Sequence, residues 1–184
     1  CEEDLLKIKP FTNESYVCIA PGSVWFTKQF PEDKWVKLIN NLSAYQLKIY
    51  LLGGKQELSL CESIRLASNN ESVEILAGKL SLLESAALMK KAHMNFVNDS
   101  APLHLASAVN APVTAIFCST IPEFGFAPLS DISHIVQIKE NLKCRPCGLH
   151  GKNECPEGHF KCAKMINEND ILLHLNTSND STQL

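Results

Sequence analysis

Residues 94–117 read MNFVNDSAPLHLASAVNAPVTAIF. The run Met94–Val97 has the length and apolar character of a short strand. Ala101–Val109 is a helix of small residues, and Val113–Phe117 is a second β-rich strand. At the first junction four polar side chains crowd together: Asn98, Asp99, Ser100 and His104. A carboxylate, a hydroxyl and an imidazole therefore stand where a strand hands over to a helix.

The same alternation extends to both sides. Tyr16–Ala20 is a strand ended by Pro21-Gly22. Pro31, Glu32 and Asp33 open a helix, and Trp35, Val36, Leu38, Ile39 and Leu42 then recur at helical spacing. Leu47–Leu52 is a strand closed by Gly53-Gly54, Gln56–Ala67 a helix and Val73–Leu76 a strand. Ser81 and Glu84 form a capping box for a helix running to about Lys91. Ile135–Ile138 gives a sixth strand, and a closing helix runs from about Glu168 to Leu175. The strands are continuously apolar rather than alternating, as expected when both faces are covered. The expected fold class is α/β, a doubly wound parallel sheet with right-handed crossovers.

Composition sets bounds on function. The 184 residues are 45% hydrophobic and 20% charged, with a net charge of −3, so nothing global points to nucleic acid or an anionic membrane. No apolar run approaches the roughly 20 residues of a membrane span. The first residues, CEEDLLKIKPF, show no basic-then-apolar signal pattern and no initiator Met. Residues 1–15 read as a linker leading into a domain at 16–175, and residues 176–184 as a mobile tail, so the chain is expected to be part of something longer. Asn-x-Ser/Thr triplets begin at Asn13, Asn41, Asn70, Asn98, Asn176 and Asn179; without a secretion signal they read as chance.

In such a sheet ligands bind at the carboxyl ends of the strands. Three loops there carry candidate chemistry. In PGSVWFTK, Gly22 permits close backbone approach, Ser23 offers a hydroxyl and Lys28 a positive charge, a set that suits a phosphate as well as it suits a plain turn. In GGKQE, Glu57 stands where an acidic residue can take ribose hydroxyls. In the opening stretch, Asp99 and Ser100 can cap the Ala101 helix, for about 1 kcal/mol, or leave its amides to a pyrophosphate. Three polar strand ends beside small residues favour one shared anion site.

Four segments, APGSVWFTKQFPEDKW, GGKQE, LAGKLSLLESAALMKKA and NDSAPLHLASAVNAPVTAIFCST, resemble in order and spacing the C-terminal half of the ADP-heptose:lipopolysaccharide heptosyltransferases, glycosyltransferase family 9. PEFGFAPLS and CRPC…CPEGHFKC fit as well, and Trp25, Thr27 and Lys28 look most like the heptosyltransferase II branch. The resemblance implies the Rossmann-like C-terminal domain of a GT-B enzyme, which holds the nucleotide-sugar donor. It implies phosphate contacts from Gly22, Ser23 and Lys28, ribose contact from Glu57, and an adenine lining near Lys79 and Leu80. Asp99 would hold the heptose, and Ser100, Ala101 and His104 the pyrophosphate. Lys28 and Asp99 are the implied catalytic residues. No cofactor or metal is implied, since the helix dipole and Lys28 would stabilise the departing ADP. The implied setting is cytoplasmic, at the inner face of a Gram-negative inner membrane, in peripheral association with it.

Departures are visible. Ser100-Ala101-Pro102 stands where many relatives have Thr-Gly or Ser-Gly, and Cys118 where Gly is usual. Pro102 removes one amide, at little cost early in a helix. The family's acceptor-binding N-terminal domain, with its proposed base, is absent, so the expectation is donor binding without transfer by this piece alone. Cys144, Cys147, Cys155 and Cys162 are spaced C-x2-C-x7-C-x6-C, which leaves structural zinc, a local disulfide or reduced thiols open. Lys143, Arg145, Lys152, Lys161 and Lys164 make that loop mildly basic, suited to solvent or to an anionic glycolipid. The rival readings are a non-catalytic nucleotide-binding or interaction module, and the same enzyme class with another nucleotide sugar.

Overall fold

The computed structural model describes residues 2–175. The expected mobile tail at 176–184 lies outside them. Six strands form one parallel sheet: β1 Tyr16–Ala20, β2 Lys48–Leu51, β3 Val73–Ile75, β4 Met94–Asn98, β5 Val113–Phe117 and β6 Ser133–Gln137. Their spatial order is β3-β2-β1-β4-β5-β6. The order reverses between β1 and β4, which pair directly with Val17 opposite Met94 and Ala20 opposite Val97. At such a switch point the loops leaving the two neighbouring strands diverge and open a crevice.

Helices cover both faces. Helices α1 Glu2–Ile8, α4 Leu82–Lys91 and α5 Ala101–Ala108 lie on one side; α2 Glu32–Leu42, α3 Leu58–Ala67, the short α6 Lys161–Lys164 and α7 Glu168–Leu172 lie on the other. Residues that alternate along each strand serve opposite cores. Val17 and Ile19 join Trp35, Leu38, Ile39 and Leu42 of α2, whereas Tyr16, Cys18 and Ala20 join Leu88, Leu103 and Ala106. The buried strands thus have no polar face to show, and this is why they read as unbroken apolar runs.

Local signals place the helices. The Ser81 hydroxyl accepts from the Glu84 amide at 3.2 Å, and the Glu84 carboxylate accepts from the Ser81 amide at 2.6 Å, closing the expected capping box. Pro31 stands at the N-cap of α2, with Glu32 and Asp33 in its first turn. The chain start is a docked helix: Ile8 of α1 is fully buried in the α4–α5 core, so burial of that side chain holds residues that read as linker. The helix expected over Gln56–Ala67 begins as a 3-10 turn, Lys55–Glu57, before α3. The closing helix is shorter than expected, ending at Leu172.

Candidate functional site

The site forms where the β1 and β4 loops diverge. Lys28 lies in a 3-10 turn, Phe26–Lys28, at the end of the β1 loop. Its Nζ lies 2.7 Å from Asp99 Oδ2, the side chains being 14% and 4% exposed. The Thr120 hydroxyl donates to the same carboxylate oxygen at 2.6 Å. Asp99 is therefore engaged by an ammonium and a hydroxyl from two further loops, and does not cap α5. Ser100 occupies the N-cap position but makes no side-chain cap bond; its hydroxyl lies 3.4 Å from the Gly22 and Asn98 carbonyls. No side chain caps α5; Pro102 brings no amide and the Leu103 amide donates to the Ser100 carbonyl at 3.0 Å, so the helix start offers chiefly its partial positive charge.

Asn98, the last residue of β4, is wholly buried. Its carbonyl oxygen accepts from the Phe30 amide at 3.0 Å, and its amide donates to the Pro21 carbonyl at 2.8 Å and to Gly22 at 3.3 Å. One side chain thus fastens both ends of the loop carrying Lys28. That burial also denies a glycan access to the Asn98 triplet.

Glu57 stands at the β2 end of the same edge. Its carboxylate accepts from the Gly54 amide at 2.6 Å. A Cβ at Gly53 would sit 2.8 Å from Glu57 Cβ, and one at Gly22 would collide with Glu57 Cγ. Both glycines therefore clear space for this carboxylate, which lies across the β1 and β2 loops. Gly22→Ala should push Glu57 aside. The expected result is loss of the 2.6 Å contact between the Gly54 amide and Glu57, read as faster hydrogen exchange at the Gly54 amide.

The other candidates sit farther out. Ser23 offers its carbonyl to Gln29 Nε2 at 2.6 Å. Lys79 is exposed, and Leu80 is half-buried, packing against the α4–α5 core. Their loop is tied to the β2 loop by the Gly78 amide on the Gly53 carbonyl, 2.9 Å. His104 is exposed on α5, edge-on to Phe126 with ring centroids 5.9 Å apart. Ala101 supplies only backbone, at the helix start.

Ser119 and Thr120 were not singled out by sequence, and Arg145 was read only as part of a mildly basic loop. The Ser119 hydroxyl donates to Thr27 Oγ1 at 3.0 Å, and both side chains are buried. No local pattern marks a hydroxyl that acts across the sheet, and their one signal is the position of Ser119-Thr120 at the end of a strand neighbouring the switch point. Cys144, Cys147, Cys155 and Cys162 are free thiols. Among the described residues no three His, Cys, Asp or Glu side chains gather to hold a metal ion. Burial pushes the Cys162 thiol up to about 11 and raises that of Cys147, with neighbouring cysteines adding to the rise; both are protonated near neutrality.

The sequence match agrees with the geometry. The family described as glycosyltransferase family 9 (heptosyltransferase) matches residues 2–158. Lipooligosaccharide heptosyltransferase 2 of Haemophilus influenzae is 33% identical over 116 residues, 61% of this chain and 33% of that protein. The structure of Escherichia coli ADP-heptose lipopolysaccharide heptosyltransferase II superposes with a TM-score of 0.78 at 21% identity, covering 96% of this chain and 51% of that one. A family 9 glycosyltransferase from Veillonella parvula gives 0.79 at 18% identity, covering 97% and 52%. The chain thus spans about a third to a half of the proteins it matches. Its sheet order, its switch-point loops and the extent of the family match agree: the chain belongs to glycosyltransferase family 9.

Proposed function

We propose that this chain is the donor-binding half of a glycosyltransferase that moves heptose from ADP-heptose to a lipopolysaccharide core acceptor. The observation that carries the reading is the Lys28–Asp99–Thr120 cluster at the β1/β4 switch point, beside an α5 start that no side chain caps. A diphosphate would bring negative charge to that helix start and to Lys28, whose partner in the free chain is Asp99. In the donor complex Lys28 turns from Asp99 to the diphosphate, and Asp99 accepts from heptose hydroxyls. Each member of the ion pair thereby exchanges one partner for another, so no buried charge is stranded. Glu57 takes the ribose, Gly22, Ser23, Ser100, Ala101 and His104 surround the pyrophosphate, and the Lys79–Leu80 loop lies towards the adenine.

In the transfer the bond from the heptose anomeric carbon to the ADP oxygen breaks as an acceptor hydroxyl attacks. Negative charge grows on the departing ADP, where Lys28 and the α5 dipole stand ready. The reading assigns residues 16–175 to the donor domain. A preceding N-terminal domain binds the acceptor and supplies the base, and this chain alone binds the donor without transferring. Among the described residues no helix is long and apolar enough to cross a membrane; the proposed place of work is the cytoplasmic face of the inner membrane, in peripheral contact.

Calorimetric titration of this chain with ADP, ADP-heptose and UDP-sugars tests the reading. Saturable binding of ADP and ADP-heptose, tighter than any UDP-sugar, is the expected result. Preference for a UDP-sugar would keep the site and replace the donor, and absence of any nucleotide binding by both this chain and the full-length protein would remove the donor assignment.

A further inference from the structure

The Cys-rich loop grips both halves of the Lys28–Asp99 pair. Arg145 reaches out of it with a half-buried guanidinium. Nε donates to the Cys118 carbonyl at 2.8 Å, and Nη2 lies 2.6 Å from the Thr120 carbonyl, 3.3 Å from that of Phe117 and 2.7 Å from Gln137 Oε1. The Cys147 amide donates to the intervening Ser119 carbonyl at 3.0 Å. The carbonyls of residues 117 to 120 are thus all held from one loop. This turn presents Thr120 to Asp99 and Ser119 to Thr27.

The other grip falls on the β1 loop. The Thr27 amide donates to the Lys152 carbonyl at 3.0 Å, and the Lys152 amide donates back to Thr27 Oγ1 at 2.8 Å. Gly151, at φ +81°, leaves room for the Lys28 stem: a Cβ there would stand 2.9 Å from Lys28 Cγ and 3.0 Å from Trp25 Cβ. Phe160 packs on Phe26 with ring centroids 5.1 Å apart. A guanidinium is suited to this work because it stays charged and offers several donors in a rigid fork.

We infer that Arg145 is a positioning residue: its fork fixes the turn at 117–120, and with the Gly151–Lys152 pairing on Thr27 it holds Lys28 and Asp99 in register for the donor. The geometry stands by itself, and the ligand arm of the test rests on the donor reading above. In Arg145→Leu, the Thr27, Lys152 and Asp99 amides should exchange with solvent about tenfold faster, while the Ile49 amide between β2 and β3 keeps its rate. ADP should bind about tenfold more weakly, and the loss should vanish when Lys28→Ala is already present, because the two act through one contact. Arg145→Lys should recover part of both effects. Unchanged exchange, a uniform rise across the sheet, or additivity with Lys28→Ala would overturn the inference. If Arg145→Leu does not fold, Arg145→Gln is the second variant, which shortens and uncharges the fork, with the same local exchange and the same non-additivity expected. Should the unsubstituted chain bind no ADP, the donor reading fails separately, and the exchange pattern decides the positioning role.

Discussion

Lys28→Ala should weaken ADP binding by roughly 10- to 100-fold, the worth of one charge-assisted hydrogen bond at about 1.5–3 kcal/mol. In the complete enzyme the fall in kcat should be larger, about 10²- to 10³-fold, because a cation facing the departing diphosphate meets more charge in the transition state than in the ground state. The substitution also strips Asp99 of its cation while leaving it buried, with Thr120 as its remaining hydrogen-bond donor. A buried carboxylate without its counter-ion destabilises the fold, so weakened binding alone does not separate a lost contact from a loosened site. The double variant Lys28→Ala with Asp99→Asn separates them. It removes the stranded charge and should regain thermal stability, yet ADP affinity should stay low. Affinity that returns with stability would make Lys28 a structural cation, and unchanged affinity in Lys28→Ala would remove it from the donor site altogether.

Much of this site was legible because it follows from strand order. Continuous apolar runs mark strands covered on both faces, and such strands form parallel sheets whose loops meet ligands at their carboxyl ends. From that alone Gly22, Lys28, Glu57 and Asp99 fall on one edge, and the structure puts them there. What the sequence could not give was pairing. Asp99 and Ser100 read equally well as helix caps, because a cap and a ligand-holding carboxylate use the same residue types at the same place. Only the fold brings Lys28, distant in sequence, to the carboxylate and so takes Asp99 out of the capping role. The roles of Thr120 and of Arg145, which read only as one charge of a basic loop, were illegible for the same reason, as their partners lie on other elements. The cysteine spacing left zinc, a disulfide and reduced thiols open, whereas that loop meets the site through the Arg145 fork and through backbone at Cys147, Gly151 and Lys152.

The buried Asn98 carries the other large effect, and it acts through the fold. Asn98→Leu would leave the Phe30 amide and the Pro21 carbonyl unpartnered in a closed interior, and the Gly22 carbonyl with only its 3.4 Å contact to the Ser100 hydroxyl. Each orphaned polar group costs about 1–3 kcal/mol, and some relaxation is expected, so the loss should be about 3 kcal/mol. For a chain of this size that lowers Tm by roughly 6–12 °C. Because Phe30 packs edge-on against Trp35 at 5.2 Å, the damage should reach α2 as well as the Lys28 loop. Asn98→Asp makes a sharper test. The new carboxyl keeps the acceptor for the Phe30 amide but turns an oxygen towards the Pro21 carbonyl, where the amide had donated. Protonated, it can donate there again; ionised, it repels. Its pKa in the folded state should therefore lie above that of the unfolded chain, so the folded state binds more protons and stability should rise as pH falls through that range. Thermal unfolding at about pH 5 and about pH 8 measures this directly. The Asp variant should gain on the unsubstituted protein at the lower pH, and Asn98→Leu should show no such trend. Equal losses at both values would mean that the Asn98 amide does not hold the Lys28 loop, and that the loop is fixed from the Thr27–Lys152 side alone.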